Sequence, residues 1–232
     1  MERIDTDVLV IGGGAGGLSV AAGAVQMGAR VVLLEGHKMG GDCLNYGCVP
    51  SKALLAAASV AHAQAGNAAM DIEACENTID YGKAKDFVAS VVGQIAPHDS
   101  VVRFESLGVN VIEAFGRFIS PTEVQAGNRV ITARRIVIAT GSSPFVPPIP
   151  GLSDVPYYTN ETVFDLRERP DHLLIIGGGP IGMEMAQAHR RLGSEVTVIE
   201  GQKVYAKDDP ELVAILVQKL RDEGIEIVEG AL

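Results

Sequence analysis

Asp7-Val8-Leu9-Val10-Ile11-Gly12-Gly13-Gly14-Ala15-Gly16-Gly17 is the stretch that decides the fold. Val8 to Ile11 is an unbroken apolar run, the pattern of a strand buried on both faces of a parallel sheet. Gly12-x-Gly14-x-x-Gly17 follows, and a helix of small residues is predicted from there to about Met27. Val31 to Leu34 make the next strand, which ends at Glu35 and Gly36. In such a unit the first glycine permits the tight turn, the second lets backbone approach a pyrophosphate, and the third allows close helix–strand packing. Ala15 and Gly16 then open a helix whose first N–H groups can face phosphate oxygens. Glu35 falls 23 residues after Gly12, where a carboxylate can accept hydrogen bonds from a ribose diol. A tight turn with no ligand is the plain alternative. The strand context and the terminal acid favour a dinucleotide site.

The unit recurs. Residues 172–201 align with 7–36 at a constant offset of 165, without a gap. Gly177, Gly179 and Gly182 repeat the three glycines, Pro180 and Ile181 take the places of Ala15 and Gly16, and Glu200 repeats Glu35. Two dinucleotide-binding units therefore share one chain.

Between them the sequence predicts helices over about Pro50 to Gly66 and about Tyr81 to Leu107. A β-rich segment follows through 109–112, 116–119 and 129–132, ending in 135–141. Five prolines between Pro144 and Pro156 cannot continue a helix or a central strand, so that stretch reads as a linker. The expected domains are 1–150 and 151–232. After Glu200, Asp209 and Pro210 open an amphipathic helix, Gly224 stops it, and a last strand begins at Ile225. The fold class is α/β: two Rossmann-like, three-layer units with a small β-meander.

Composition narrows the function. At 232 residues the chain can bury a core, and a net charge of −10 argues against binding the phosphate backbone of nucleic acid. No window reaches the roughly 18 apolar residues of a membrane span, and the start resembles neither a signal nor a transit peptide, so a cytoplasmic address is expected. Three cysteines make no secreted disulfide framework, but two lie close together, which suggests redox or metal chemistry.

That pair sits in Gly40-Gly41-Asp42-Cys43-Leu44-Asn45-Tyr46-Gly47-Cys48-Val49-Pro50-Ser51-Lys52. Pro50 suits the first turn of a helix, which places Cys48 at the positive end of that helix, where a thiolate is favoured. Zinc is disfavoured because no second ligand pair is near. Cys75, without a partner in sequence, reads as an incidental thiol.

With these residues the chain resembles the pyridine nucleotide-disulfide oxidoreductases, the family of dihydrolipoamide dehydrogenase, glutathione reductase and mercuric reductase. The resemblance implies that Cys43 and Cys48 form a redox-active disulfide. It assigns FAD to Gly12, Gly14, Ala15, Gly16, Gly17, Glu35, Gly36, Gly41, Asp42, Cys43, Cys48 and Lys52, with Gly116, Ala139, Thr140 and Gly141 completing the site. It assigns NAD(H) to Gly177, Gly179, Pro180, Ile181, Gly182, Glu184 and Glu200, and makes Lys52 and Glu184 a buried ion pair beside the flavin. Electrons would pass between NAD(H), FAD and the cysteines, and on to a small disulfide or dithiol, most like a dihydrolipoamide dehydrogenase. An NADPH-dependent reductase of glutathione or mercuric ion is the alternative, which Glu200 opposes because a carboxylate repels a 2′-phosphate. A non-catalytic FAD-binding fragment is another, since the family is about twice as long and pairs as a homodimer through a domain expected beyond residue 232. Asp42 departs from the family's usual threonine.

Overall fold

In this computed structural model, residues 1–64 and 79–231 are described; Cys75, expected to be an incidental thiol, lies outside them. In chain order the elements are β1 (Glu2–Ile11), α1 (Ala15–Gln26), β2 (Val31–Glu35), α2 (Gly41–Asn45), α3 (Cys48–Ala63), α4 (Tyr81–Ile95) and α5 (Val101–Ser106). There follow β3 (Val109–Glu113), β4 (Gly116–Phe118), β5 (Glu123–Ala126), β6 (Arg129–Ile138), β7 (His172–Ile176), α6 (Pro180–Arg191), β8 (Glu195–Glu200), α7 (Pro210–Asp222) and β9 (Glu226–Glu229). They form two compact units, Met1–Pro50 with Ser90–Phe164 and Ser51–Ala89 with Asp165–Leu232.

In the first unit six strands run in the order β3-β2-β1-β6-β5-β4, with β1, β2, β3 and β6 parallel and β4-β5-β6 an antiparallel meander. Strand alternation sends Val10, Val31 and Leu33 to the face covered by α1 and α5, through Leu18, Ala21 and Phe104. Leu9, Val32 and Leu34 take the other face, where Val124 of β5 joins them. Helices cover one face and the meander folds back over the other. Each fully buried leucine or isoleucine there contributes about 1.5–3 kcal/mol.

The structure refines several sequence expectations. The predicted helix over 81–107 is broken after Ile95, because Pro97 sits in a short 3-10 turn and Ser100 caps a fresh helix by accepting from the Arg103 N–H. The segments 129–132 and 135–138 are one ten-residue strand paired along β1. Strand β5 was not anticipated from its polar, alternating residues. Its signal is the two-residue turn Gly127-Asn128 that joins it to β6.

In the second unit β7, β8 and β9 are parallel. Their core is Met183, Ala186, Val196, Val198, Val217 and Leu220, between the sheet and helices α6 and α7. Strand β7 stands at the end of that sheet, and Leu174 and Ile176 are about half exposed. Asp209 caps α7 through the N–H groups of Glu211 and Leu212, as its sequence position predicts.

Candidate active site

The first glycine turn closes at the carboxyl ends of β1 and β6, where strand order reverses about β1 and crevices form in such sheets. Gly12 has φ +110°, and a Cβ on it would lie 2.2 Å from the carbonyl oxygen of Ala139. A Cβ on Gly17 would lie 1.9 Å from the Gly12 oxygen, so helix α1 can approach its strand only with glycine there. Gly41 is equally constrained: a Cβ would stand 2.6 Å from the Gly14 Cα. Gly14 caps α1 without any side-chain acceptor, and Ala15 and Gly16 are exposed, whereas Ser100 and Asp209 cap their helices with side chains. The first turn of α1 thus keeps donors for an anion, and the crowding fits the close passage of a pyrophosphate.

Glu35 does more than the sequence shows. Its Oε2 accepts from the Gly13 N–H at 2.6 Å and its Oε1 from the His37 N–H at 2.6 Å, so the carboxylate holds the turn together. A carboxylate has about four lone-pair sites, which leaves acceptor capacity for a ribose. Phe115 is a residue that sequence reasoning missed. Its ring lies against Gly36, where a Cβ would come within 2.6 Å of it, and it meets His37 edge-on at 4.9 Å. The clue was an aromatic residue between β3 and Gly116. Gly116 itself is hemmed by Leu34 and Val124, which gives it a packing role in the meander.

Cys43 lies in α2 and Cys48 is the first residue of α3. Between them the chain folds back: the Asn45 side-chain amide donates to Gly41 O at 2.9 Å and Met39 O at 3.1 Å, and Tyr46 N–H donates to Asp42 O at 2.8 Å. The expected disulfide is not formed here. No disulfide joins the two cysteines, and they meet as a hydrogen-bonded dithiol, the two-electron-reduced form of the same pair. The hydrogen bond with Cys48, then burial, pushes the Cys43 thiol up to about 11, and the Asp42 carboxylate adds to the effect. Beside Cys43 opens a cavity of about 320 Å³, lined by Ser19, Ala22, Leu44, Asp99, Arg103 and Phe104 among others.

The second glycine turn repeats the first. Gly177 has φ +110°, a Cβ on Gly182 would lie 2.1 Å from the Gly177 oxygen, and Gly179 caps α6 without a side-chain acceptor. Glu200 accepts from the N–H groups of Gly178 at 2.8 Å and Gln202 at 2.9 Å, which hold its carboxyl below the usual range. Lys52 Nζ stands 2.7 Å from both oxygens of Glu184, so the expected ion pair forms. It is not buried, however, with the Lys52 side chain 60% exposed. The lysine reaches the carboxylate from α3 with its stem in solvent, and such a pair is worth under about 1 kcal/mol.

The Pyridine nucleotide-disulphide oxidoreductase family model matches residues 6–232. The chain belongs to that family. It is 35% identical to a mercuric reductase of Bacillus cereus over 98% of its own length and 36% of that protein's. It is 37% identical to a mercuric reductase of Streptomyces lividans, over 95% and 48%. Among solved structures it is similar to the HOCl-induced flavoprotein disulfide reductase RclA of Escherichia coli, with a TM-score of 0.82 and 29% identity, covering 97% of this chain and 49% of the other. The chain therefore spans half or less of the length of these relatives.

Within this family member, the first unit brings together Gly12 to Gly17, Glu35, Gly36, Gly41, Asp42, Cys43, Cys48, Gly116 and Ala139 to Gly141. The second holds Lys52, Gly177 to Gly182, Glu184 and Glu200. The histidines have other work. His172 meets Thr197 at 2.9 Å, and His189 is fully buried. His189 Nδ1 lies 2.8 Å from the Met185 carbonyl, which only accepts, so Nδ1 carries the proton and Nε2 receives the Tyr81 hydroxyl at 3.1 Å. Burial lowers this imidazole to about 4. No helix among the described residues is long and apolar enough to cross a membrane.

Proposed function

We propose that this chain is the FAD- and NAD-binding part of an NADH-linked disulfide oxidoreductase of the cytoplasm, homodimeric at full length, acting on a small disulfide or dithiol. One observation carries the reading: two hydrogen-bonded thiols, one in α2 and one at the start of α3, just after the Gly14–Gly41 contact. A redox pair joined to a phosphate-binding turn is what electron transfer between a flavin and a disulfide requires. In this reading 1–150 is the FAD domain and 151–232 the nicotinamide domain.

When bound, FAD supplies hydride chemistry between the nicotinamide and the cysteine pair. The residues do the rest. The α1 N–H groups and Gly14 would hold the pyrophosphate, Glu35 would accept from the ribose, and His37, with Phe115 against it, would lie toward the adenosine end. Thr140 and Gly141, after β6, serve as the second flavin-contacting turn. Lys52, held by Glu184, would support negative charge on the reduced flavin. At the cysteines the balance is Cys43–Cys48 disulfide plus two electrons and two protons giving the dithiol. A substrate disulfide then takes both electrons and both protons, leaving as two thiols while the Cys43–Cys48 bond re-forms. The cavity beside Cys43, within the size range of small-ligand sites, gives the substrate its approach.

Heat-released flavin identifies the cofactor: FAD is expected, and FMN, or no flavin after refolding with excess FAD, overturns the reading. Glu200 implies use of NADH over NADPH by on the order of 10–100-fold, measured in the full-length enzyme. Equal use of both would remove the role given to Glu200. Multiple turnovers by these 232 residues alone are not expected, because a thiol held near 11 needs a base.

A further inference from the structure

Asp42 directly precedes Cys43, and its carboxylate, though exposed, is tied to a distant segment of the chain. Oδ1 accepts from Asn160 Nδ2 at 2.9 Å, from a residue 118 positions away in sequence. Oδ2 lies against Gly47, where a Cβ would come within 2.8 Å of it. Gly47 precedes Cys48, so the carboxylate spans the loop that joins the two cysteines. Its own backbone carbonyl closes the same loop through Tyr46 N–H.

We propose that Asp42, fixed in place by Asn160, is a positioning residue for thiol–disulfide exchange, its negative charge holding Cys43 as a neutral thiol in the reduced pair. The inference rests on the oxidoreductase reading and deepens it. A freely swinging carboxylate has no fixed place, whereas one tied to Asn160 on the residue before Cys43 keeps its charge on the cysteine loop. The other groups around Cys43 do not cancel it. The hydrogen bond with Cys48 raises the Cys43 thiol most and burial next, and the Asp42 charge acts in the same direction. Across the cavity Asp99 and Arg103 are of opposite sign, and Lys38 sits 5.1 Å over the Tyr46 ring. Only the thiolate attacks a disulfide or an oxidant. A carboxylate in this place therefore keeps the reduced pair quiet until a base arrives with the substrate.

The test is the pH profile of iodoacetamide alkylation at Cys43, read by peptide mass on the reduced protein with Asp42→Asn and Asn160→Ala. Asp42→Asn is expected to raise the Cys43 rate at pH 8 on the order of 3–10-fold, with the midpoint moving to lower pH. The gain should shrink in 1 M salt, where charges are screened within about 3 Å. Asn160→Ala, which keeps the charge but frees it, should show a smaller shift in the same direction. Identical Cys43 midpoints in wild type and Asp42→Asn overturn the proposal, and so does a gain that 1 M salt leaves intact. An Asn160→Ala midpoint equal to wild type removes the tether. Flavin content of the same samples separates the two ideas: protein that never takes FAD sinks the oxidoreductase reading, while the thiol midpoints still judge Asp42.

Discussion

The two glycine turns are nearly the same object in different surroundings. Gly12 and Gly177 share φ +110°, Gly14 and Gly179 cap their helices with the same extended backbone, and Glu35 and Glu200 hold the turn through the same pair of N–H groups. Around them the likeness stops. Strand β1 has β2 on one side and β6 on the other, so Gly12 is roofed by the Ala139 peptide. Among the described residues, strand β7 has a neighbour on one side only, and nothing lies within 4 Å of where a Cβ on Gly177 would be. Local sequence dictates the turn; the neighbouring strand dictates how little it tolerates change.

The largest expected effect follows from that contrast. An alanine at either position must adopt a left-handed φ, costing about 1–3 kcal/mol. At Gly12 it must also displace the Ala139 peptide, adding another 1–3 kcal/mol or so of overpacking. Gly12→Ala is therefore expected to lose about 2–6 kcal/mol and Gly177→Ala about 1–3 kcal/mol, measured by urea denaturation. Equal losses at the two sites would break the comparison.

Much of this was legible in the sequence because the turn is specified locally. Gly12, Gly14, Gly17 and Glu35 act on one another within 23 residues, and so do their counterparts. The cysteine loop was legible for the same reason, down to Cys48 at the start of α3. What could not be read depends on residues far apart in the chain. The roof of Ala139 over Gly12, the fold-back of β5 onto Leu34 and the Asn160 contact with Asp42 are products of packing. No spacing rule encodes that Lys52 reaches Glu184 with its stem in solvent.

The units also differ in how they respond to acid. The second unit buries two groups whose protonation opposes folding. His189 is neutral in the fold at about 4 against an ordinary 6.5, so its contribution is complete above pH 6.5 and is lost as pH falls toward 4, while the unfolded chain takes up the proton. Glu223, with a side chain only 4% exposed, is held below the usual carboxylate range first by the bidentate Arg191. Its contribution is present above the ordinary carboxylate value of 4.5 and lost as pH falls below it. Stability is expected to fall by about 2–3 kcal/mol between pH 6.5 and 4, and His189→Phe should flatten that slope. The measurement is a series of urea midpoints against pH. An unchanged slope in His189→Phe would assign the acid response elsewhere. Glu223→Ala leaves Arg191 unpaired in a largely buried place and should cost about 3 kcal/mol at pH 7.

The smallest effect tests how far the repeat extends. At the same offset of 165, Gly40 corresponds to Tyr205. Gly40 N–H donates to Gly13 O at 2.8 Å, and Tyr205 N–H donates to Gly178 O at 3.0 Å. Gly40 has φ +85° and Tyr205 φ +50°, the one non-glycine residue with positive φ among those described. A tyrosine pays for that backbone where a glycine does not, by about 1–2 kcal/mol. The site tolerates it because its half-buried ring packs on the α6–β8 core, whereas a Cβ on Gly40 would meet Leu44 at 2.3 Å. Tyr205→Gly relieves strain and removes that packing, so the two effects offset and its stability should stay within about 1 kcal/mol of wild type. Gly40→Ala gains strain and a clash against the redox loop, and should lose about 2 kcal/mol. Urea midpoints for the pair decide it. If Tyr205→Gly is the more damaging change, the tyrosine is held for its ring alone, and the correspondence between the two turns ends at Gly36 and Gly201.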